Sequence, residues 1–145
     1  MSQSIAVDHS ARGLASVTTS EAVVAFAGRV LLSAIFLLAG FSKLAAPVAT
    51  IGYISSAGLP LAPLGLAIAI LVEIGGGLAL VAGYRTRTAA AILAIFTIAT
   101  ALAFHSNLAD QNMFIHFFKN IAMAGGLLQI VAFGPGRLSL DARRA

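Results

Sequence analysis

Residues Leu61–Tyr84 read LAPLGLAIAILVEIGGGLALVAGY. About 20 apolar residues rising ~1.5 Å each cross a ~30 Å hydrocarbon core, so this stretch predicts a transmembrane helix. One ionisable residue, Glu73, stands at its middle, and Gly75, Gly76 and Gly77 follow. A carboxylate at bilayer mid-depth costs at least ~2.5 kcal/mol on insertion scales and needs a partner. The glycines suit close helix packing better than ligand approach.

The rest of the composition agrees with a membrane solvent. The chain has 145 residues, 59% hydrophobic and 10% charged, with a mean hydropathy of +0.98. Soluble domains carry about 25% charged residues, enough to cover their surface. The net charge of +4 is scattered, with no basic stripe of the kind nucleic acid requires. Cysteine is absent, which excludes disulfides, thiolate metal sites and CxxC chemistry.

Three further apolar runs flank the opening stretch. Residues 1–20 are polar and lack a signal peptide's apolar core, so they are expected to form a disordered cytoplasmic tail in which Asp8 and His9 are solvated. Thr18, Ser20 and Glu21 suit a helix start. The first helix is expected over Glu21–Ala46, with Arg29, Ser33, Phe36, Gly40 and Lys43 on one face. Pro47–Pro60 is too short to span. It reads as an interfacial helix with Val48, Ile51 and Ile54 on one side and Gly58 at its end, or equally as a plain connector. The third helix is expected over Thr88–His105, its Thr97 and Thr100 bonding back into their own helix. The fourth is expected over Met113–Phe133, with Asn112, His116, Lys119, Asn120 and Met123 on one face, before Gly134, Pro135 and Gly136 stop it.

The predicted fold is all-α: a polytopic membrane four-helix bundle, up-down-up-down, over residues 21–134, with a short interfacial helix between helices 1 and 2. Residues 135–145 are expected to be a cytoplasmic C-terminal tail. Arg12, Arg85, Arg87 and the C-terminal arginines share one side, which places both termini in the cytoplasm of a bacterial inner membrane, with Lys43 dissenting.

Depth along the helices then sorts the polar residues. Arg29 lies ~12 Å from the cytoplasmic end of its helix and Glu73 ~18 Å from the outer end of its own, nearly one level. An Arg29–Glu73 intramembrane ion pair is therefore expected, either a lock on the bundle or part of a working site. Lys43, His105, His116, Lys119 and Asn120 gather in the outer third. Lys43, His116, Lys119 and Asn120 are the candidate ligand contacts, while the two lysines also read as headgroup-seeking and His116 as a plain interfacial residue. The histidines lack the further ligands that a metal or haem site needs, so no metal is expected. The reading is two layers: an inner anchor at Glu73 and an outer cationic vestibule too far away to touch it.

These residues also carry a likeness. GRVLLSAIFLLAGFSKL (Gly28–Leu44), SAGLP (Ser56–Pro60), LVEIGGGLALVAGYRTRTAA (Leu71–Ala90) and HFFKN (His116–Asn120) together resemble the DoxX family of small four-helix bacterial membrane proteins, over about residues 25–133. The family takes its name from a subunit of a thiosulfate:quinone oxidoreductase, and other members are linked to membrane oxidoreductases. The resemblance implies recurrent polar positions at Arg29, Lys43, Glu73 and Lys119, with Asn120 beside the last. The layout is also similar to four-helix thiol-redox membrane proteins, whose cysteines this chain lacks.

Three functions follow. The first is a subunit of a membrane oxidoreductase system that binds quinone or another small molecule, with Lys119, Asn120 or His116 donating to a carbonyl and Glu73 relaying a proton. The second is a non-catalytic module that binds or stabilises a partner protein. The third and weaker is a small transporter or channel subunit, which would need a homo-oligomer to form a pore. The chain has no catalytic motif of its own. The lipid bilayer is its one certain neighbour, and nucleic acid is not expected as a partner.

Overall fold

The computed structural model describes residues 3–144, with side chains described for residues 19–144. The elements in order are α1 (Gln3–Ala45), α2 (Pro47–Ser56), α3 (Ala62–Ile70), a π-helical turn (Leu71–Gly75), α4 (Gly76–Ala82), α5 (Thr86–Phe104) and α6 (Gln111–Phe133). α3, the π turn and α4 run on as one rod. Among the described residues, four helical segments are long and apolar enough to cross a membrane: Thr19–Ala45, Ala62–Ala82, Thr86–Phe104 and Gln111–Phe133. The all-α four-helix fold expected from the apolar runs is therefore observed, with a short α2 after Pro47. Gly58, at φ +75°, follows α2 as expected of a glycine past a helix end.

One difference concerns the N-terminus. α1 begins at Gln3, so its backbone is helical through the stretch read as a disordered tail. No proline and only one glycine, Gly13, stand between Gln3 and Glu21 to stop a helix. The expectation of solvated Asp8 and His9 side chains lies outside the described residues.

The core forms where α4, α5 and α6 meet. Leu80, Ala90, Leu93 and Leu127 are fully buried there, and Phe36 of α1 joins them. The glycine triplet makes this closeness possible. A Cβ on Gly76 would stand 2.9 Å from Leu93 Cγ, and one on Gly77 2.9 Å from Leu37 Cγ, whereas Gly75 has open space. Small residues at such crossings drive association in lipid, where apolar burial gives little. Leu31, Leu38, Leu71 and Ile95 are about 70% exposed or more on the outside, which is where lipid chains replace water as the solvent.

The N-terminal half of the first span and the described C-terminal segment meet at one end of the bundle, and Arg29 organises that end. Its side chain is 1% exposed. Nη1 donates to the Leu80 carbonyl at 2.9 Å, and Nη2 donates to the Leu138 carbonyl. A cation suits the negative end of a helix, here the last turn of α4. Gly83, at φ +68°, turns the chain out of α4, with Tyr84 N–H donating to Ala79 O at 2.9 Å and Gly83 N–H to Leu80 O at 3.2 Å. A Cβ on Gly83 would collide with the Arg29 guanidinium and with Ser139.

Residues 135–144, within the stretch read from sequence as a tail, fold back across this end. Leu140 N–H donates to Ala82 O at 3.1 Å and Asp141 N–H to Gly83 O at 2.8 Å. The Asp141 carboxylate accepts from Arg85 N–H at 2.8 Å, Thr86 N–H at 2.8 Å and the Thr86 hydroxyl at 2.7 Å. Arg85 caps α5 with no side chain of its own, so a residue 55 positions away in sequence does it. The Thr86 backbone N–H, seconded by the Thr86 hydroxyl and Arg85 N–H, holds the Asp141 carboxyl below its usual range. A lowered carboxyl pKa contributes stability that is present above the ordinary aspartate value of ~3.9 and is lost as pH falls through the lowered value. Asp141→Ala is expected to cost about 1 kcal/mol at neutral pH. Thermal unfolding in detergent should separate the two proteins at pH 7, and the difference should vanish under strong acid.

Candidate functional site

Glu73 sits in the π turn, 6% exposed. A π turn adds a residue to the helical repeat, shifts the side chains after it, and recurs at functional sites. α1 packs directly against it: a Cβ on Gly40 would stand 2.6 Å from Ile74 Cγ1 and 3.3 Å from Glu73 Cβ. One turn further along α1, Lys43 Nζ lies 2.9 Å from Glu73 Oε1 and 2.9 Å from Oε2. The partner of the mid-span carboxylate is therefore Lys43.

This corrects the expected Arg29–Glu73 pair. Side chains on a helix lean toward its N-terminus. α1 runs away from the Arg29 end, so this lean carries the Lys43 ammonium inward to the level of Glu73. The same lean carries the Arg29 guanidinium away from Glu73, onto Leu80 and Leu138. Depth measured at the backbone misplaces both. Lys43 also leaves the outer layer to which it was assigned, and the two expected layers join in one cavity.

That cavity has a volume of about 630 Å³ and lies between the spans at the end opposite Arg29. Its walls are apolar, with Phe36, Ile54, Ile68, Phe96, Phe104 and Met123 among them, and its polar lining includes Lys43, Glu73, Thr97, Lys119, Asn120 and His105. Asn120 is 8% exposed, and its amide has no hydrogen-bond partner among the described residues. The Thr97 hydroxyl is buried without a partner. Thr100 bonds back to Thr97 O at 3.0 Å as expected; Thr97 does not. Buried polar groups are nearly always satisfied, so the unpartnered Asn120 amide on the wall marks a place where the cavity can receive a polar group.

The outer lip holds two rings and an ammonium. Lys119 Nζ donates to His116 Nδ1 at 3.0 Å. The His116 ring stacks on His105 at 5.2 Å between centroids, and His105 Nδ1 lies 3.5 Å from Met113 Sδ. Burial, then the charge environment of His116 and Lys119, pushes His105 below the usual histidine range. Of the four expected ligand contacts, Lys43, Lys119 and Asn120 line the cavity, while His116 stands behind Lys119 and does not. His105, expected in the outer layer but not among the ligand contacts, also lines it. Its only sequence signal is its place at the end of an apolar run, because its stacking partner arrives across the loop. Among the described residues, no three His, Cys, Asp or Glu side chains converge as a metal site.

The arrangement presents two ammonium donors and an amide donor to an apolar chamber, with one carboxylate able to take a proton. The DoxX family model matches residues 24–106, which hold Arg29, Lys43, Glu73 and His105. The chain belongs to the DoxX family. Inner membrane protein YqjF of Escherichia coli K12 is 39% identical over 121 residues, covering 83% of this chain and 92% of that protein. Inner membrane protein YphA of the same organism is 32% identical over 127 residues, covering 83% and 90%. No solved structure matches the chain. These similarities and the four apolar spans make it an integral membrane protein of the DoxX type.

Lys43 is 26% exposed and Glu73 7% as side chains, so removing one partner strands the other in a poorly solvated place. Lys43→Met is expected to destabilise by about 2 kcal/mol, below the ~3–5 kcal/mol of a fully buried pair. Adding Glu73→Gln should recover more than half of the loss, read by unfolding in mixed micelles.

Proposed function

We propose that this DoxX-family chain is the quinone-binding membrane subunit of an oxidoreductase system. The observation that carries the reading is the apolar chamber into which Lys119 and Asn120 bring unspent hydrogen-bond donors beside the Lys43–Glu73 pair. Its volume of about 630 Å³ lies in the range of small-molecule pockets, ~300–1,000 Å³, with apolar walls and few polar points. A quinone has the matching chemistry: a flat apolar ring with two carbonyl acceptors. The Asn120 amide fits that group, since it lines the chamber and needs a partner that the protein does not supply.

When bound, the quinone supplies two-electron acceptor chemistry. The chain's own residues bind, orient and exclude water. Asn120 and Lys119 hold one carbonyl side, and Lys43 divides its ammonium between Glu73 and the ligand. Glu73 holds a proton at its carboxyl or releases it, with Lys43 setting the balance. The chain has no cysteine-based redox centre, so electron delivery falls to a partner subunit.

The proposed orientation places both termini in the cytoplasm. Arg85, Arg87, Arg137, Arg143 and Arg144 cluster at the Arg29 end, and the opposite end carries Lys119 and the paired Lys43, a bias that agrees with positive-inside sorting. The cavity then faces the outer leaflet.

Purified protein in nanodiscs should yield quinone on solvent extraction and gain thermal stability with decylubiquinone. Asn120→Leu should weaken that binding about tenfold, the ~1.4 kcal/mol of one buried hydrogen bond. No extractable quinone together with no stabilisation contradicts the reading.

A further inference from the structure

The cavity has a side as well as a mouth. Its exposed lining includes Ile35 of α1 and, facing the other way, Ile68 of α3, 48% exposed, with Ala99 and Ala103 in the outer half of α5. Ala99 and Ala103 stand four residues apart on one helical face, and their methyl groups leave a gap that larger side chains would fill. The two helices flanking this gap behave differently along their length. α4 packs closely on α5, with Gly76 against Leu93. Beyond the π turn, α3 makes no comparable approach to α5. α2 closes the gap from above instead: Ile54 packs on Ala62 and Leu66 of α3, and Tyr53 stacks on Phe104 of α5 at 5.3 Å. The result is a window in the outer half of the spans, bounded by the π turn below and the Tyr53–Phe104 pair above.

We propose that this α3–α5 seam is a lateral portal to the bilayer, and that it takes the hydrocarbon tail of a membrane-dissolved ligand whose polar head occupies the cavity. The inference rests on the quinone-site reading for the head group but not for the portal itself. The occupant follows from continuity. The window opens straight from the donor-lined chamber, and the side chains that flank it, Ile68, Ala99 and Ala103, are apolar. A tail-bearing molecule can lie with its head among Lys43, Asn120 and Lys119 and its chain still in lipid, so it never leaves the membrane to bind. A tail-less, water-soluble molecule would use the mouth near Lys119 and His105.

The chain has no tryptophan, which makes a direct test available. Met123→Trp places a single indole on the cavity wall contributed by α6. In nanodiscs containing phospholipid brominated on the acyl chain, this indole should be quenched by lipid reaching through the portal. Adding Ala103→Phe should cut that quenching at least twofold and weaken decylubiquinone binding about tenfold, with binding of tail-less ubiquinone-0 changed by less than twofold. Quenching that persists with Ala103→Phe, or that is removed by Ile35→Phe on the α1 side instead, overturns the portal. If the quenching pattern holds and neither quinone binds, the portal stands and the quinone reading fails. Circular dichroism of each variant checks that the bundle is intact.

Discussion

The bundle depends on how one carboxylate is kept in the middle of a membrane. Glu73 cannot be hydrated there and cannot be left unpaired without a cost of several kcal/mol. The Lys43 ammonium, 2.9 Å from both of its oxygens, meets that requirement from a helix that must pass very close. Gly40 permits the approach, and the π turn sets Glu73 opposite it. The rest of the distal half follows from this contact. α1 is held against the second span, the outer half of that span makes no close approach to α5, and a chamber opens between them.

The opposite end is closed by a different device with the same logic. Arg29 is fully buried, and its charge is spread over two carbonyls, one at the end of α4 and one in the C-terminal segment. Asp141 then caps α5 from that segment. A sealed end and an open end give the molecule a direction. At the sealed end both Arg29 Nη groups and the Asp141 carboxylate are spent on protein partners, whereas at the open end the Asn120 amide faces the cavity with none. That asymmetry is why the candidate site is placed at the distal end and why Arg29 is assigned to architecture.

Much of this was legible in the sequence, and the rest was hidden for definite reasons. Apolar runs of about 20 residues fix four spans because the bilayer fixes their length. Pro47, Gly58 and Gly83 fix the breaks because they act locally. The polar residues that matter were nearly all visible, since an ionisable or amide side chain in such a chain is conspicuous. Their pairing was not. Backbone depth placed Arg29 beside Glu73, but both long side chains of α1 lean toward its N-terminus, one toward Glu73 and one away. The π turn left no periodicity signal in an all-apolar stretch. Asp141 as the cap of α5 and His105 against His116 are contacts across the fold, with no local spacing to announce them.

The most direct test of this account is the partner of Glu73 in a lipid bilayer. The chain contains two lysines, Lys43 and Lys119, and two glutamates, Glu21 and Glu73, so selective labelling leaves little to assign. Solid-state NMR on protein labelled with 15Nζ-lysine and 13Cδ-glutamate should show one strong dipolar contact, lost in Lys43→Met and in Glu73→Gln and kept in Lys119→Met. Absence of that contact, with the Glu73 carboxyl carbon coupled instead, in a second sample carrying 15N-guanidinium arginine, to a nitrogen lost in Arg29→Lys, would contradict it.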